Sequence, residues 1–179
     1  MKLLAAIKKV LDSSLEILVA TVMAVLVIDV VWQVVTRFIL KNPSSWTEEL
    51  ATFLLIWVGL LGASVALNRG SHLGIDYFVG KLSARHRLYT EIFSFVCIAV
   101  FSVLVMFIGG IRLVENILQR GQISPALGIK MGYVYLAVPV SGFFLALYSI
   151  EFLIERIIRL VKGNQFPAPH TTDSAVDLD

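Results

Sequence analysis

Three stretches of this chain contain no Asp, Glu, Lys or Arg: Leu50–Leu67, Ile92–Ile111 and Met131–Ile150, of 18, 20 and 20 residues. Coiled as a helix at about 1.5 Å per residue, each covers close to the ~30 Å hydrocarbon core of a bilayer. Hydrocarbon offers nothing to bond a peptide group, and a helix satisfies its own, so membrane-spanning helices are expected here. Composition agrees, since 58% of the 179 residues are hydrophobic and 16% are charged, against about 25% charged in soluble domains. A compact water-soluble enzyme is excluded.

A fourth span opens the chain. Ile17–Ile28 is apolar, Asp29 interrupts it, and the pattern resumes through Val30, Val31, Trp32, Val34, Val35, Phe38 and Leu40. This run outlasts a leader's hydrophobic region and no small-x-small cleavage site follows it, so it reads as a retained helix over residues 11–40. Such a helix is about 45 Å long and must tilt or protrude. The expected architecture is all-α, one membrane domain over residues 1–162, with spans at 11–40, 46–67, 91–119 and 131–160. Residues 163–179, rich in Pro, Thr, Ser and Asp, are expected to form a disordered cytoplasmic tail. Ten of the fifteen Lys and Arg lie in the two tails and the middle connection, which places both termini in the cytoplasm.

Within the spans, polar and small residues carry the information. Asp29, Gln33 and Arg37 recur every four residues and so share one helix face. An ionisable group in a span is costly, and one reading makes Asp29 the proton site of a small antiporter. The favoured reading is a structural polar seam, because a lone transport carboxylate has no need of Gln33 and Arg37 in register. Ser45 and Glu48 match a capping box that starts the second helix after Pro43. On that helix Gly59, Gly62, Ala63 and Ala66 form a small-residue stripe. Gly142 and Ala146 form another on the fourth, below a kink expected at Pro139. Such stripes let backbones approach closely, which in lipid replaces hydrophobic burial as the source of helix association.

Other chemistry is sparse. His72, His86 and His170 lie outside the spans and cannot ligate a haem between helices. No metal site, nucleotide fingerprint, catalytic triad or nucleic-acid interface is indicated. The lone Cys97 reads as a small buried apolar residue. Trp32, Trp46, Tyr133 and Tyr148 read as interfacial anchors.

Trp46-Thr47-Glu48-Glu49 opening a span, Gly62-Ala63 within it and Arg69-Gly70-Ser71-His72-Leu73-Gly74-Ile75-Asp76 after it resemble the small membrane subunit of TRAP (tripartite ATP-independent periplasmic) transporters, the DctQ-like family. Ser124-Pro125-Ala126-Leu127-Gly128 and Tyr133–Pro139 extend the resemblance, which departs at Lys130, where proline is expected. It implies a non-enzymatic scaffold in a bacterial inner membrane, with no cofactor of its own. The partners implied are membrane lipids, a large multi-span subunit that holds sodium and substrate, and a periplasmic substrate-binding protein. The cargo implied is an organic acid such as sialic acid or a dicarboxylate. It further implies that Arg37, Ser45, Trp46, Glu48 and Glu49 serve scaffold capping and ion pairing. Arg69, His72 and Asp76 would fix a cytoplasmic turn or touch lipid headgroups, and Arg112, Glu115, Arg120 and Lys130 would meet the binding protein.

Overall fold

A computed structural model describes residues 2–42, 44–69 and 84–161. His72, Asp76, His170, the region 75–82 and the C-terminal tail lie outside them. The described residues form α1 (Lys2–Phe38), α2 (Ser45–Asn68), α3 (Ala84–Phe101), a π-helix (Ser102–Gly109), α4 (Gly110–Gln119), α5 (Met131–Tyr135) and α6 (Ala137–Val161). Four stretches are long and apolar enough to cross a membrane: Lys8–Phe38, Ser45–Asn68, Leu88–Gln119 and Met131–Ile158.

Several boundaries depart from expectation for local reasons. Helix α1 starts at Lys2 rather than near residue 11, since Lys8, Asp12 and Glu16 lie on helical spacing just before the apolar run. Its far end closes at Phe38, where the amides of Ile39 and Leu40 both turn back to Val35 O and Lys41 takes a positive φ of 49°. The expected capping box at Ser45 and Glu48 does not form. Ser45 is already helical, Ser44 is the cap residue without a side-chain cap bond, and the buried Thr47 hydroxyl donates to Ser44 O at 2.8 Å. The fourth span is interrupted at Leu136, directly after Tyr135, whose carbonyl Pro139 cannot bond for want of an N–H. Pro139 is the third residue of α6, in its first turn, where a missing N–H is tolerated, and the ladder resumes with Val140 N on Leu136 O at 3.2 Å.

The spans form a row. Helix α1 packs along α2, α2 along α6, and α6 along α3 and the π-helix, while α4 closes on α5. The fourth span, in the middle, is the most buried at 33% of its central window, and the first, at the edge, the least at 11%. A shared cluster of Leu15, Leu61, Leu67, Phe95 and Tyr148 runs through the row, with Phe95 stacked on Phe152 at 5.5 Å.

Two contacts set the spacing. Between α2 and α6, Ser141 Oγ donates to Leu60 O at 2.7 Å and lies 3.3 Å from Ser64 Oγ, all three residues deep within the spans. Between the third and fourth spans, Gly142 brings backbone against backbone: a Cβ there would stand 2.7 Å from Met106 Cβ and 2.9 Å from Phe107 N. Both neighbours belong to the π-helix, which opens where the Ser102 hydroxyl donates to Ile98 O at 2.6 Å. Of the stripe on the fourth helix, then, Gly142 serves internal packing. Cys97 is exposed on the outer surface of the third span rather than buried.

Because no neighbour can yield without moving backbone, Gly142→Ala is expected to cost about 1–3 kcal/mol by overpacking. Gly59→Ala, with open space around it, should leave the isolated chain's stability unchanged. Thermal unfolding in a mild detergent, followed by tryptophan fluorescence, compares the two.

Candidate functional site

The two ends of the row differ in electrostatics. At the end holding the start of α1 and the end of α6, each helix is strapped to a neighbour. Lys8 pairs with Glu151, Arg69 Nε meets Glu16 at 3.1 Å, Arg156 Nε meets Glu91 at 2.7 Å, and the Tyr148 hydroxyl donates to Asp12 at 2.7 Å. Glu16 holds the Arg69 guanidinium above its ordinary value, through a hydrogen bond first and charge second. Arg69 thus fastens the end of α2 back onto α1. Lys8, Lys9, Asp12, Ser13, Glu16 and Asn68 line a cleft of about 400 Å³ here. Tyr148, expected as an interfacial anchor, is instead fully buried with its hydroxyl turned inward. The spacing of Lys8, Asp12 and Glu16, every four residues like Asp29, Gln33 and Arg37, was a visible signal for this belt.

At the other end no ion pair forms among the described residues. Arg37, Lys41, Arg112, Arg120 and Lys130 are all exposed there, and none of them pairs with a described carboxylate. Glu48 is exposed, and Glu115 accepts only a bond from Gln119 at 3.3 Å. Trp46 is 45% exposed beside them.

Glu49 behaves differently. Its carboxylate accepts the amides of both Ala126 and Leu127 at 2.9 Å, across 77 and 78 residues of sequence. The loop it holds is self-tied: Ser124 N bonds Ile129 O, Gly128 N bonds Ser124 O, Met131 N bonds Gln122 O, and Ile123 bridges Lys130. Gly121 and Gly128 supply the positive φ values, 63° and 68°, that reverse the chain. Glu49 is therefore a latch between the start of α2 and the α4–α5 loop, a role that no local sequence spacing reveals.

The seam residues do not act together. Asp29 is buried with Oδ2 unpartnered, Gln33 is half-buried and Arg37 is exposed. No hydrogen bond joins them, so Gln33 does not bridge the other two; the nearest side-chain bond runs from the Thr36 hydroxyl to Gln33 O. The stripe of α2 has the clearest geometry. Phe53, Leu61, Ser64 and Leu67 face the row, while Gly59, Ala63 and Ala66 are exposed on the opposite side and Gly62 is half-buried beside them. A Cβ on Gly59 or Gly62 would meet nothing within 4 Å. Ala146 of α6 is half-buried. Among the described residues no three metal-ligating side chains converge.

Comparison with known proteins bears on these surfaces. Residues 25–159, well over half the chain, match the DctQ component of the tripartite ATP-independent periplasmic transporters. The chain is 32% identical over 162 residues to the sialic acid TRAP transporter small permease protein SiaQ of Vibrio cholerae, covering 89% of this chain and 90% of that protein. It is 31% identical over 148 residues to the sialic acid TRAP transporter permease protein SiaT of Haemophilus influenzae, covering 82% of this chain but 23% of that protein. The isethionate TRAP transporter permease protein DctMQ of Oleidesulfovibrio alaskensis is 29% identical over 155 residues, 82% of this chain and 24% of its own length.

A carboxylate that accepts two amides makes charge-assisted bonds, which are stronger than those between neutral groups. Glu49→Ala is accordingly expected to speed amide exchange at Ala126 and Leu127 by about 10-fold or more, whereas Glu48→Ala leaves it unchanged. Hydrogen–deuterium exchange with peptide-level readout over residues 120–130 decides this.

Proposed function

From the premise that the chain belongs to the DctQ family, small membrane subunits of TRAP transporters and not enzymes, we propose that it is a passive scaffold. It clamps a large multi-span subunit of the bacterial inner membrane that itself carries sodium and an organic acid. The observation that supports this reading most is the outward stripe of α2. Gly59, Gly62, Ala63 and Ala66 offer a surface on which another helix can seat closely, and no described residue of this chain occupies it. The relatives supply the candidate occupant. A unit like this one stands almost alone in SiaQ yet makes up about a quarter of SiaT and DctMQ. The remainder of those permeases is the counterpart of the separate large subunit proposed here.

On this reading the end with the unpaired cations faces outward and the strapped end faces the cytoplasm, following the excess of Lys and Arg in the tails and the middle connection. The cations Arg112, Arg120 and Lys130 then face the periplasm, where a substrate-binding protein delivers its cargo. Sialic acid and isethionate in the relatives' names support an organic acid as the cargo, and on this reading this chain contributes no recognition of it. Arg69 anchors the cytoplasmic end of α2 to α1.

Gly62→Leu, which adds bulk where the isolated chain has room, is expected to abolish co-purification with the large subunit while the chain alone still folds. Asp29→Asn is expected to leave transport by the whole system at half its original rate or more, because on the scaffold reading this carboxyl carries neither ion nor cargo. Pull-down in mild detergent and solute uptake by the reconstituted system read these outcomes. Loss of all uptake in Asp29→Asn with an intact complex would instead favour a transport role for Asp29.

A further inference from the structure

The α4–α5 loop exposes two large apolar side chains beyond the ends of the spans. Ile123 is 61% and Ile129 40% exposed, and the spans beside them end at Gln119 and restart at Met131. Ile123 is bridged to Lys130, and Arg120 stands at the loop's entry. An apolar centre flanked by charge is the anatomy of a protein interface. The loop is also built to stay in shape: the Glu49 latch, the buried Ser124 and the bonds that close residues 122–131 fix it before any partner arrives. Association with an ordered loop loses little conformational entropy. The cations at this end have no partners among the described residues, while Lys8, Arg69 and Arg156 at the opposite end are used in ion pairs. Such unneutralised cations attract an acidic surface and speed its approach. A lipid surface would take the charges but needs no latched loop.

We propose that residues 120–130, latched by Glu49, form a docking knob for a soluble protein whose contact patch is apolar at its centre and acidic at its rim. Ile123 and Ile129 insert at the centre, and Arg120 and Lys130 pair at the rim. The proposal rests on the scaffold reading, under which that protein is the substrate-binding protein of the transport system.

The test uses the full chain with its large subunit in lipid nanodiscs, and the purified periplasmic binding protein of the same system as the probe. The Ile123→Ser/Ile129→Ser double variant is expected to weaken capture at least about tenfold, the loss of two anchoring side chains. The Arg120→Glu/Lys130→Glu variant should slow association about tenfold and remove most of its dependence on salt. Both should retain the large subunit, which shows that folding is intact. Unchanged capture by both variants would overturn the docking knob while leaving the scaffold reading in place. An environment-sensitive dye at Ile123→Cys, in a Cys97→Ala background, should be shielded by the binding protein. Quenching by brominated lipids whether or not that protein is bound would make the loop a membrane contact and overturn the proposal. If the unaltered complex captures no binding protein and transports without it, the scaffold reading's periplasmic arm fails together with the knob.

Discussion

Helices in hydrocarbon gain nothing by hiding apolar side chains from one another, because lipid tails are as apolar as leucine. What holds this chain together is close approach and polar bonding. Gly142 supplies the first by setting α6 against the backbone of the π-helix at Met106 and Phe107. Ser64 and Ser141 supply the second by bonding each other and the Leu60 carbonyl between α2 and α6. These two contacts join the halves of the row, since α6 is the one described helix that touches both α2 and the third span extensively. A row built about one central helix leaves the first span almost uncovered and one side of α2 empty. For a protein that must hold a larger neighbour, this openness is the useful property.

Polar groups divide by location. At one end the ion pairs and the Tyr148–Asp12 bond draw the helices together, with Tyr148 taken out of contact with solvent and lipid altogether. At the other, charge serves a single internal bond set, from Glu49 to the 120–130 loop, and the cations point outward without described partners. Ion pairs near water contribute little, so the belt positions helices more than it stabilises them. The other end has no such pairs among the described residues.

The four spans were legible because charge-free runs of bilayer length fit little else than membrane helices, and the family because short motifs stood in the right order and spacing. The α2 stripe was legible as a row of small residues on one helix face, and the structure shows that this face points away from the chain. The failures have physical causes. Ser45 and Glu48 fit the capping pattern, yet Thr47 turned its hydroxyl to the Ser44 carbonyl instead. Tyr148 looked like an anchor because aromatics near span ends usually are, and its partner Asp12 lies 136 residues away. Small residues marked Gly142 for close backbone approach, but no residue pattern announces the π-helix that it meets. Glu49 was singled out, but as a cap or ion-pair residue, because its amide partners belong to a loop whose return to α2 is a matter of tertiary structure.

The central claim is that the empty face of α2 is the seat of one large membrane partner. A photo-crosslinking residue introduced at Ala66 and activated in native membranes tests it most directly. The account predicts a single adduct with a polytopic protein much larger than this chain, and none from the same probe at Val31, on the exposed face of α1. An adduct of twice this chain's mass, or labelling of lipid alone at Ala66, would contradict it.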